Sequence, residues 1–250
     1  MLKRLKAVLS NTMIEITLLR HSKIDGPAAL YGKTDVAALP HKDEEVITAL
    51  SQVKPFYDLV VSSPLKRCRK VAQQLSQLSL SPLECDDSFQ EMNFGDLDGV
   101  AFEQLIGGEA LLPNAQHYWA LLEKFWQHPA KSTLPSAETL FEFNQRVVLG
   151  WQQLVTRLIE QALPKEKSKE QTKQRVLLVC HGGVIRMILA HVLNLDWQNP
   201  TWYQGLSINN ASLCQLLITP TYTENPQRMP NQITWHSKIE FIGLPVSAAT

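Results

Sequence analysis

Apolar positions along the chain follow two alternating patterns. Short runs of consecutive apolar residues, typical of strands buried on both faces, alternate with longer stretches in which apolar residues recur every three or four positions, as in helices. Because parallel strands need helical crossovers, this alternation favours an α/β fold, a three-layer α/β/α sandwich with a mostly parallel sheet. The predicted strands are residues 14–19, 58–62, 82–85, 176–180, 213–219 and 233–236.

Prolines, glycines and capping residues mark the helix boundaries. Ser63 followed by Pro64 is a typical opening of a helix, and Pro55 closes the helical stripe before it. Gly182 and Gly183 stand between a strand and a helix. The predicted helices are residues 42–53, 64–78, 114–128, 136–163 and 184–192, and residues 86–99 and 165–175 are predicted loops.

No linker or internal repeat divides the chain, which indicates a single domain over residues 13–250. Residues 1–12 are predicted to be a loose N-terminal extension, and the sequence is compatible with a translation start at Met1 or at Met13. A helical cap is expected as an insertion at about residues 100–136.

Composition and charge exclude several functional classes. The 250 residues carry 24 Lys plus Arg against 24 Asp plus Glu, a balance that gives no basic surface for nucleic acid or an acidic membrane. No apolar run approaches the roughly 20 residues of a membrane-spanning helix. The four cysteines are far apart and are predicted to be buried thiols of a reducing compartment, so we expect a cytoplasmic protein. The oligomeric state is not predictable from these features.

Three predicted strands end in polar groups that can bind a phosphate. Arg20 and His21 follow the first strand, a turn leading to Arg67 follows the second, and His181 with Gly182 follows the fourth. Ligands of open α/β sheets bind outside the carboxyl ends of strands, so these groups are expected to converge. Two of the turns also lead into helix N-termini, whose N–H groups attract anions. The sequence therefore predicts an oxyanion pocket, best suited to phosphate.

Helical spacing leaves one choice open at this pocket. Arg67 and Arg69 lie on opposite flanks of the core stripe of their helix, and spacing does not select between them.

The chain has no Gly-x-x-x-x-Gly-Lys loop, no Gly-x-Gly-x-x-Gly turn and no His-Glu-x-x-His pair. We therefore expect neither a cofactor nor a metal.

Short motifs stand in order along the chain: LLRH at 18–21, YGKTD at 31–35, SPLKR at 63–67, EMNFGDLDG at 91–99, AET at 137–139 and HGG at 181–183. Together they resemble the histidine phosphatase superfamily, the phosphoglycerate-mutase-like clan, and the likeness spans about residues 14–220. Within the superfamily the sequence looks most like the α-ribazole phosphatases, which remove the 5′-phosphate from a precursor of the cobalamin nucleotide loop.

The resemblance implies a metal-independent hydrolysis of small-molecule phosphomonoesters through a phosphohistidine. In this likeness His21 is the nucleophile, Glu91 is the general acid and base, and Arg20, Arg67 and His181 hold the phosphoryl group. Gly182 would let the phosphate approach the main chain. From the residues alone Glu91 could not be chosen over the other loop carboxylates, Asp86, Asp87, Asp96 and Asp98.

Several positions depart from the family pattern. Ser22 and Ile24 stand where the family has Gly and Thr, and Pro27 occupies the place of a phosphate-binding Asn. A Thr that often follows the second Arg is replaced by Val71. Ser22 or Lys23 would be a substitute donor, and catalytic efficiency is in question.

Two alternatives and one ambiguity stay open. A phosphoglycerate mutase or a broad sugar-phosphate phosphatase would keep the chemistry, although residues 100–108 lack the Glu-Arg-His-Tyr-Gly insert of the mutases. A degenerate member that binds a phosphorylated ligand without turnover is the other alternative. The aromatic residues of the cap could stack on a flat base, but filling a helical core is their commoner use. These residues are Tyr118, Trp119, Phe125 and Trp126.

Overall fold

One mixed sheet of six strands organises the protein. The computed structural model describes residues 12–52, 56–106, 112–162, 172–222 and 233–248. In space the strand order is β3-β2-β4-β1-β5-β6; the first four strands of this order run parallel, and β5 and β6 are antiparallel to their neighbours. The strands are β1 (Thr12–Arg20), β2 (Leu59–Ser62), β3 (Leu83–Cys85), β4 (Thr172–Cys180), β5 (Ser212–Tyr222) and β6 (Ile233–Pro245).

Helices cover both faces of the sheet, which confirms the predicted three-layer sandwich. Successive side chains of β1 point to opposite faces: Leu18 packs into the core cluster of α3, α4 and α5, and Leu19 into that of α1 and α2. Strands buried on both faces read as continuous apolar runs, which explains the pattern in the sequence. The helices are α1 (Pro40–Gln52), α2 (Lys66–Ser79), α3 (Ala115–Gln127), α4 (Leu140–Ala162), α5 (Gly182–Val192) and the short α6 (Pro200–Gly205).

Parallel pairing of β2, β4 and β1 brings three chain segments to one edge of the sheet. Arg20 is in register with Cys180, and Ser62 with Val179. The residues that follow these strand ends are therefore neighbours. The predicted convergence of the strand-end groups is thus a consequence of strand order and register.

Two helices begin later than predicted. Leu65 is extended, with φ −68° and ψ 140°, so α2 begins at Lys66 rather than at Pro64. Helix α4 begins at Leu140 rather than at residue 136, because Thr139 and Glu142 form a reciprocal cap: the Thr139 hydroxyl accepts from Glu142 N–H at 3.1 Å, and the Glu142 carboxylate accepts from Thr139 N–H at 2.9 Å. Leu78, predicted on the core face of α2, is 46% exposed.

The predicted loop at residues 165–175 is wrong at its end, where β4 begins at Thr172. This polar stretch is a strand because it pairs with β1, and Glu15 of β1 forms ion pairs with Lys173 at 2.6 Å and Arg175 at 3.8 Å. Residues 165–171 lie outside the described residues. Strand β6 also runs past residue 236 to Pro245, paired with β5 through a bulge.

Other boundaries differ in smaller ways. The predicted extension overlaps the sheet, since Thr12 already belongs to β1, and residues 1–11 lie outside the described residues. Cys85 is exposed, contrary to the prediction, whereas the other three cysteines are buried. In the part of the chain that the structure describes, no helix is long and apolar enough to cross a membrane.

Candidate active site

His21 follows the last residue of β1, where three parallel strands end. Its main-chain N–H donates to the carbonyl of Cys180 at 3.0 Å. The imidazole Nδ1 lies 2.7 Å from the carbonyl oxygen of Ser22. Because a carbonyl can only accept, Nδ1 carries the ring proton and Nε2 keeps its lone pair. Nε2 is therefore the atom of His21 that can attack an electrophile.

Burial keeps the two histidines of the site neutral. His21 is 7% exposed and His181 is fully buried, and their ring centroids are 5.1 Å apart. Burial, followed by the positive charge of Arg67, lowers the pKa of His21 to about 3. Burial, followed by the neighbouring His21, holds the pKa of His181 well below its ordinary value. A neutral imidazole has the lone pair that nucleophilic attack requires.

Contacts on both sides fix the ring of His181. The Arg67 Nε–H donates to His181 Nδ1 at 3.3 Å, so the ring proton is on Nε2, which lies 2.8 Å from the hydroxyl oxygen of Ser63. The thiol of Cys68 lies 3.6 Å from the same Nε2. Burial raises the pKa of Cys68, so this thiol stays protonated and is a poor nucleophile.

Arg67 joins the loop after β1 to the strand ends. It is fully buried, and its Nη atoms donate to the carbonyls of Tyr31 at 3.0 Å, Gly32 at 2.8 Å and Thr34 at 3.0 Å. With the bond to His181, these contacts use four of its five N–H groups, and the fifth is on Nη1. Arg69 is exposed, so the structure selects Arg67 from the pair that helical spacing could not separate.

Arg20 has a buried donor that is unpaired within the described part of the chain. One Nη of Arg20 donates to the carbonyl of Ile208. Its Nε is buried and has no hydrogen-bond partner among the described residues. Buried donors are normally paired, so this N–H is a candidate to bind a ligand. A Cβ on Gly182 would lie 3.3 Å from the guanidinium of Arg20, so glycine at this position leaves room for the arginine beside the start of α5.

Glu91 reaches the same helix start from the loop after β3. Its carboxylate accepts from the main-chain N–H of Gly183 at 3.0 Å and from that of Met92 at 3.1 Å. A Cβ on Gly183 would come within 2.2 Å of the Glu91 carboxylate, so only glycine permits this approach. All the predicted site residues thus meet at one edge of the sheet: His21, Glu91, His181, Arg20, Arg67 and Gly182.

Two residues that the sequence reasoning missed hold the histidines. Asn210 precedes β5, and its amide Nδ2 donates to the carbonyls of His21 at 3.0 Å and Ser22 at 3.2 Å. Ser63, noted only as a helix opening, contacts His181. Asn210 lies in a stretch without periodicity, and only the folded sheet places it beside His21.

Neither suggested substitute donor has a phosphate-binding arrangement of its own. The Ser22 hydroxyl is buried and donates to the carbonyl of Lys42 at 3.3 Å. Lys23 is exposed. Pro27 is exposed, and its carbonyl accepts from the hydroxyl of Tyr31 at 2.9 Å.

A cavity of about 380 Å³ adjoins Glu91 and Gly183. Its wall is mainly apolar and aromatic, with Arg186 as a cation whose Nε donates to the carbonyl of Leu206 at 3.2 Å. Phe125 and Trp126 of α3 line it, Tyr118 and Trp119 pack against the core, and Phe125 belongs to the core cluster as well. The remaining wall residues are Leu30, Met92, Phe94, Pro129, Leu140, Phe143, Met187 and Gln204.

The depressed pKa values of His21 and His181 predict a measurable pH dependence. We expect that the ring signals of these two histidines in NMR spectra stay at the neutral position from pH 8 to pH 5, and that His21→Asn and His181→Asn variants assign them. Between pH 6.5 and about 3 the unfolded chain binds a proton at His21 that the folded protein does not. The free energy of unfolding therefore falls with decreasing pH, by up to about 1.4 kcal/mol per pH unit for each such histidine. Titration of either signal near pH 6.5 would contradict this.

Sequence and structure comparisons relate this site to known proteins. Residues 16–225 match the family model of the histidine phosphatase superfamily (branch 1). The chain is 26% identical over 187 residues to "Uncharacterized phosphatase PhoE" of Bacillus subtilis (strain 168), covering 74% of this chain and 80% of that protein. It is 26% identical over 206 residues to glucosyl-3-phosphoglycerate phosphatase of Mycolicibacterium vanbaalenii, covering 80% and 83%.

A solved structure shares the fold. The α-ribazole phosphatase from Shigella flexneri superposes with a TM-score of 0.60 and 19% sequence identity, over 92% of this chain and 96% of that one. The family match extends over most of the chain and includes the strand ends and loops that build the site. The chain belongs to branch 1 of the histidine phosphatase superfamily and is a phosphatase.

Proposed function

We propose that this phosphatase is a metal-independent phosphomonoesterase that works through a phosphohistidine at His21. The observation that carries the proposal is a neutral, buried imidazole with its Nε2 lone pair unprotonated, placed among the guanidinium groups of Arg20 and Arg67. Fixed arginines offset the charge of the phosphoryl oxygens, so positioning and electrostatics carry the catalysis.

The reaction has two displacement steps. In the first, His21 Nε2 forms a bond to phosphorus, the ester P–O bond breaks, and Glu91 gives its proton to the leaving alkoxide. In the second, a water molecule attacks the phosphohistidine, Glu91 takes a proton from that water, and the P–N bond breaks to release phosphate. The buried Arg20 Nε and the remaining Arg67 Nη1 N–H are the donors for the phosphoryl oxygens, and the neutral ring of His181, held by Arg67 and Ser63, packs beside His21.

For the substrate we propose a phosphomonoester whose leaving group carries a flat aromatic base, and specifically α-ribazole 5′-phosphate. The cavity beside Glu91 supports this choice, because its wall carries Phe94, Phe125, Trp126 and Phe143. Aromatic side chains can stack on the flat benzimidazole base of that nucleoside. Neither 3-phosphoglycerate nor a hexose phosphate carries a flat aromatic group that could pack against this wall.

Phosphate release from four substrates tests both parts of the proposal. The purified protein is assayed in excess chelator with α-ribazole 5′-phosphate, 3-phosphoglycerate, a hexose phosphate and 4-nitrophenyl phosphate. We expect chelator-resistant release with the highest kcat/KM for α-ribazole 5′-phosphate. A preference for 3-phosphoglycerate or the hexose phosphate would reject the substrate assignment but keep the chemistry. No release from any ester would favour a binding protein without turnover.

A further inference from the structure

We propose that the ion pair of Arg146 and Glu138 is a positioning device that holds the Glu91 loop in its reactive place. This inference rests on the proposed role of Glu91 as general acid. Arg146 lies on α4 and Glu138 just before it, and the two side chains are 28% and 16% exposed. The pair is bidentate: Arg146 Nε and Nη2 contact the two Glu138 oxygens at 3.0 and 2.9 Å.

Arg146 binds the main chain on the N-terminal side of Glu91. Its Nη1 lies within hydrogen-bond distance of three carbonyl oxygens: those of Asp87 at 3.3 Å, Ser88 at 3.0 Å and Gln90 at 3.1 Å. Gln90 is the residue directly before Glu91. One guanidinium therefore fixes the course of the loop up to the proposed acid.

Glu138 binds the main chain on the other side. Its Oε2 accepts from the N–H of Asn93 at 3.3 Å, and its own N–H donates to the Asn93 carbonyl at 3.0 Å. Only Glu91 and Met92 lie between the two anchored residues, Gln90 and Asn93. The ion pair thus holds the loop on both sides of Glu91 without touching the acid itself.

The fit of Glu91 explains why such control is needed. Its carboxylate accepts from the N–H of Gly183 in the wall of the apolar cavity, and a methyl group on that glycine would collide with it. A shift of about 1 Å moves a proton donor out of line with a leaving oxygen and can cost about 10²-fold in rate. The guanidinium of Arg146 also lies 5.2 Å from the ring centroid of Phe143, which lines the same cavity.

Lysine cannot replace arginine here, because the contacts use a planar fork with donors on both edges. Arg146→Lys keeps the charge but loses the simultaneous contact with Glu138 and the loop carbonyls. Glu138→Gln keeps the size of the side chain and weakens the bidentate pair. A matched control is Arg157→Lys, on the same helix, where Arg157 pairs with Glu84 of strand β3 rather than with the loop.

The test uses the dependence on leaving group, which a merely structural residue would not change. For each variant, kcat/KM is measured with 2-phenylethyl phosphate, whose alkoxide must be protonated as it leaves, and with 4-nitrophenyl phosphate, whose phenolate leaves without an acid. This parameter reports the step that phosphorylates His21. Glu91→Gln is expected to lower the value for the alkyl ester about 10²- to 10⁴-fold, and the value for the aryl ester about threefold or less.

Arg146→Lys and Glu138→Gln are expected to show the same selectivity as Glu91→Gln: kcat/KM falls about 10- to 100-fold for the alkyl ester and stays unchanged for the aryl ester. Arg157→Lys is expected to leave both values unchanged. Equal falls for both esters, or no fall, would overturn the positioning role. If Arg146→Lys fails to fold, Glu138→Gln decides by the same criterion. If Glu91→Gln itself lowered kcat/KM equally for both esters, or for neither, the acid role of Glu91 would be overturned instead. The two failures are therefore distinguishable.

Discussion

A His21→Ala variant is expected to fold and to lose phosphatase activity by about 10⁴-fold or more. The alanine removes the Nε2 lone pair, and the proposed pathway has no other route to a covalent intermediate. His181 is a poor substitute, because its Nδ1 accepts from Arg67 and its Nε2 carries the proton. The rate of phosphate release at saturating 4-nitrophenyl phosphate measures the loss, and circular dichroism shows that the fold is kept.

His191→Ala is the matched control for this substitution. His191 is an exposed histidine at the end of α5, and its replacement is expected to leave turnover unchanged. Activity of His21→Ala within tenfold of the wild type would reject His21 as the nucleophile. Loss of activity in His191→Ala as well would show that the assay responds to something other than the site.

Arg67→Ala is expected to lower kcat about 10²- to 10³-fold, the scale observed when one preorganised charge-stabilising donor is removed. It also orphans the carbonyls of Tyr31, Gly32 and Thr34, which accept charged hydrogen bonds in the native protein. We therefore expect a decrease of about 2–4 kcal/mol in the free energy of unfolding. Steady-state kinetics and urea unfolding measure the two effects separately.

Arg69→Ala is the matched control on the same helix, since Arg69 is exposed and lies two positions further along. Its rate and stability are expected to stay close to those of the wild type. A normal rate in Arg67→Ala would contradict the proposed role of Arg67. Arg69 or Lys23 would then be the candidate for the phosphate-binding cation. A loss of stability with an unchanged kcat would make Arg67 a structural residue only.

Local pattern predicted most of the fold. The sheet core was predicted from runs of consecutive apolar residues such as Val176 to Cys180, all fully buried, and the main helices from apolar residues at helical spacing. The start of β4 could not be predicted this way, since Lys173 and Arg175 belong to a polar stretch that becomes a strand by main-chain pairing with β1, where both side chains form ion pairs with Glu15. The start of α4 depended on the cap formed by Thr139 and Glu142, where apolar periodicity carries no information.

The candidate site divides in the same way. His21, His181 and Arg20 were found because they directly follow buried strands, whose carboxyl ends meet at one edge of the sheet. Arg67 needed the structure, because only burial separates it from Arg69. Glu91 depended on the family resemblance. Asn210 and Arg146 contact main-chain carbonyls that are distant in sequence, so no local motif predicts these contacts.

Trapping the covalent intermediate tests the central claim most directly. The protein is mixed with a ³²P-labelled phosphomonoester, quenched in alkali within milliseconds, digested and mapped by mass spectrometry. A phosphohistidine is stable in alkali and labile in acid, unlike a phosphoserine or an acyl phosphate. The account predicts a base-stable phosphoryl group on the peptide that contains His21, formed and lost at rates compatible with turnover, and absent from His21→Ala. Full turnover with no labelled intermediate, or a label on His181 or Cys68, would contradict it.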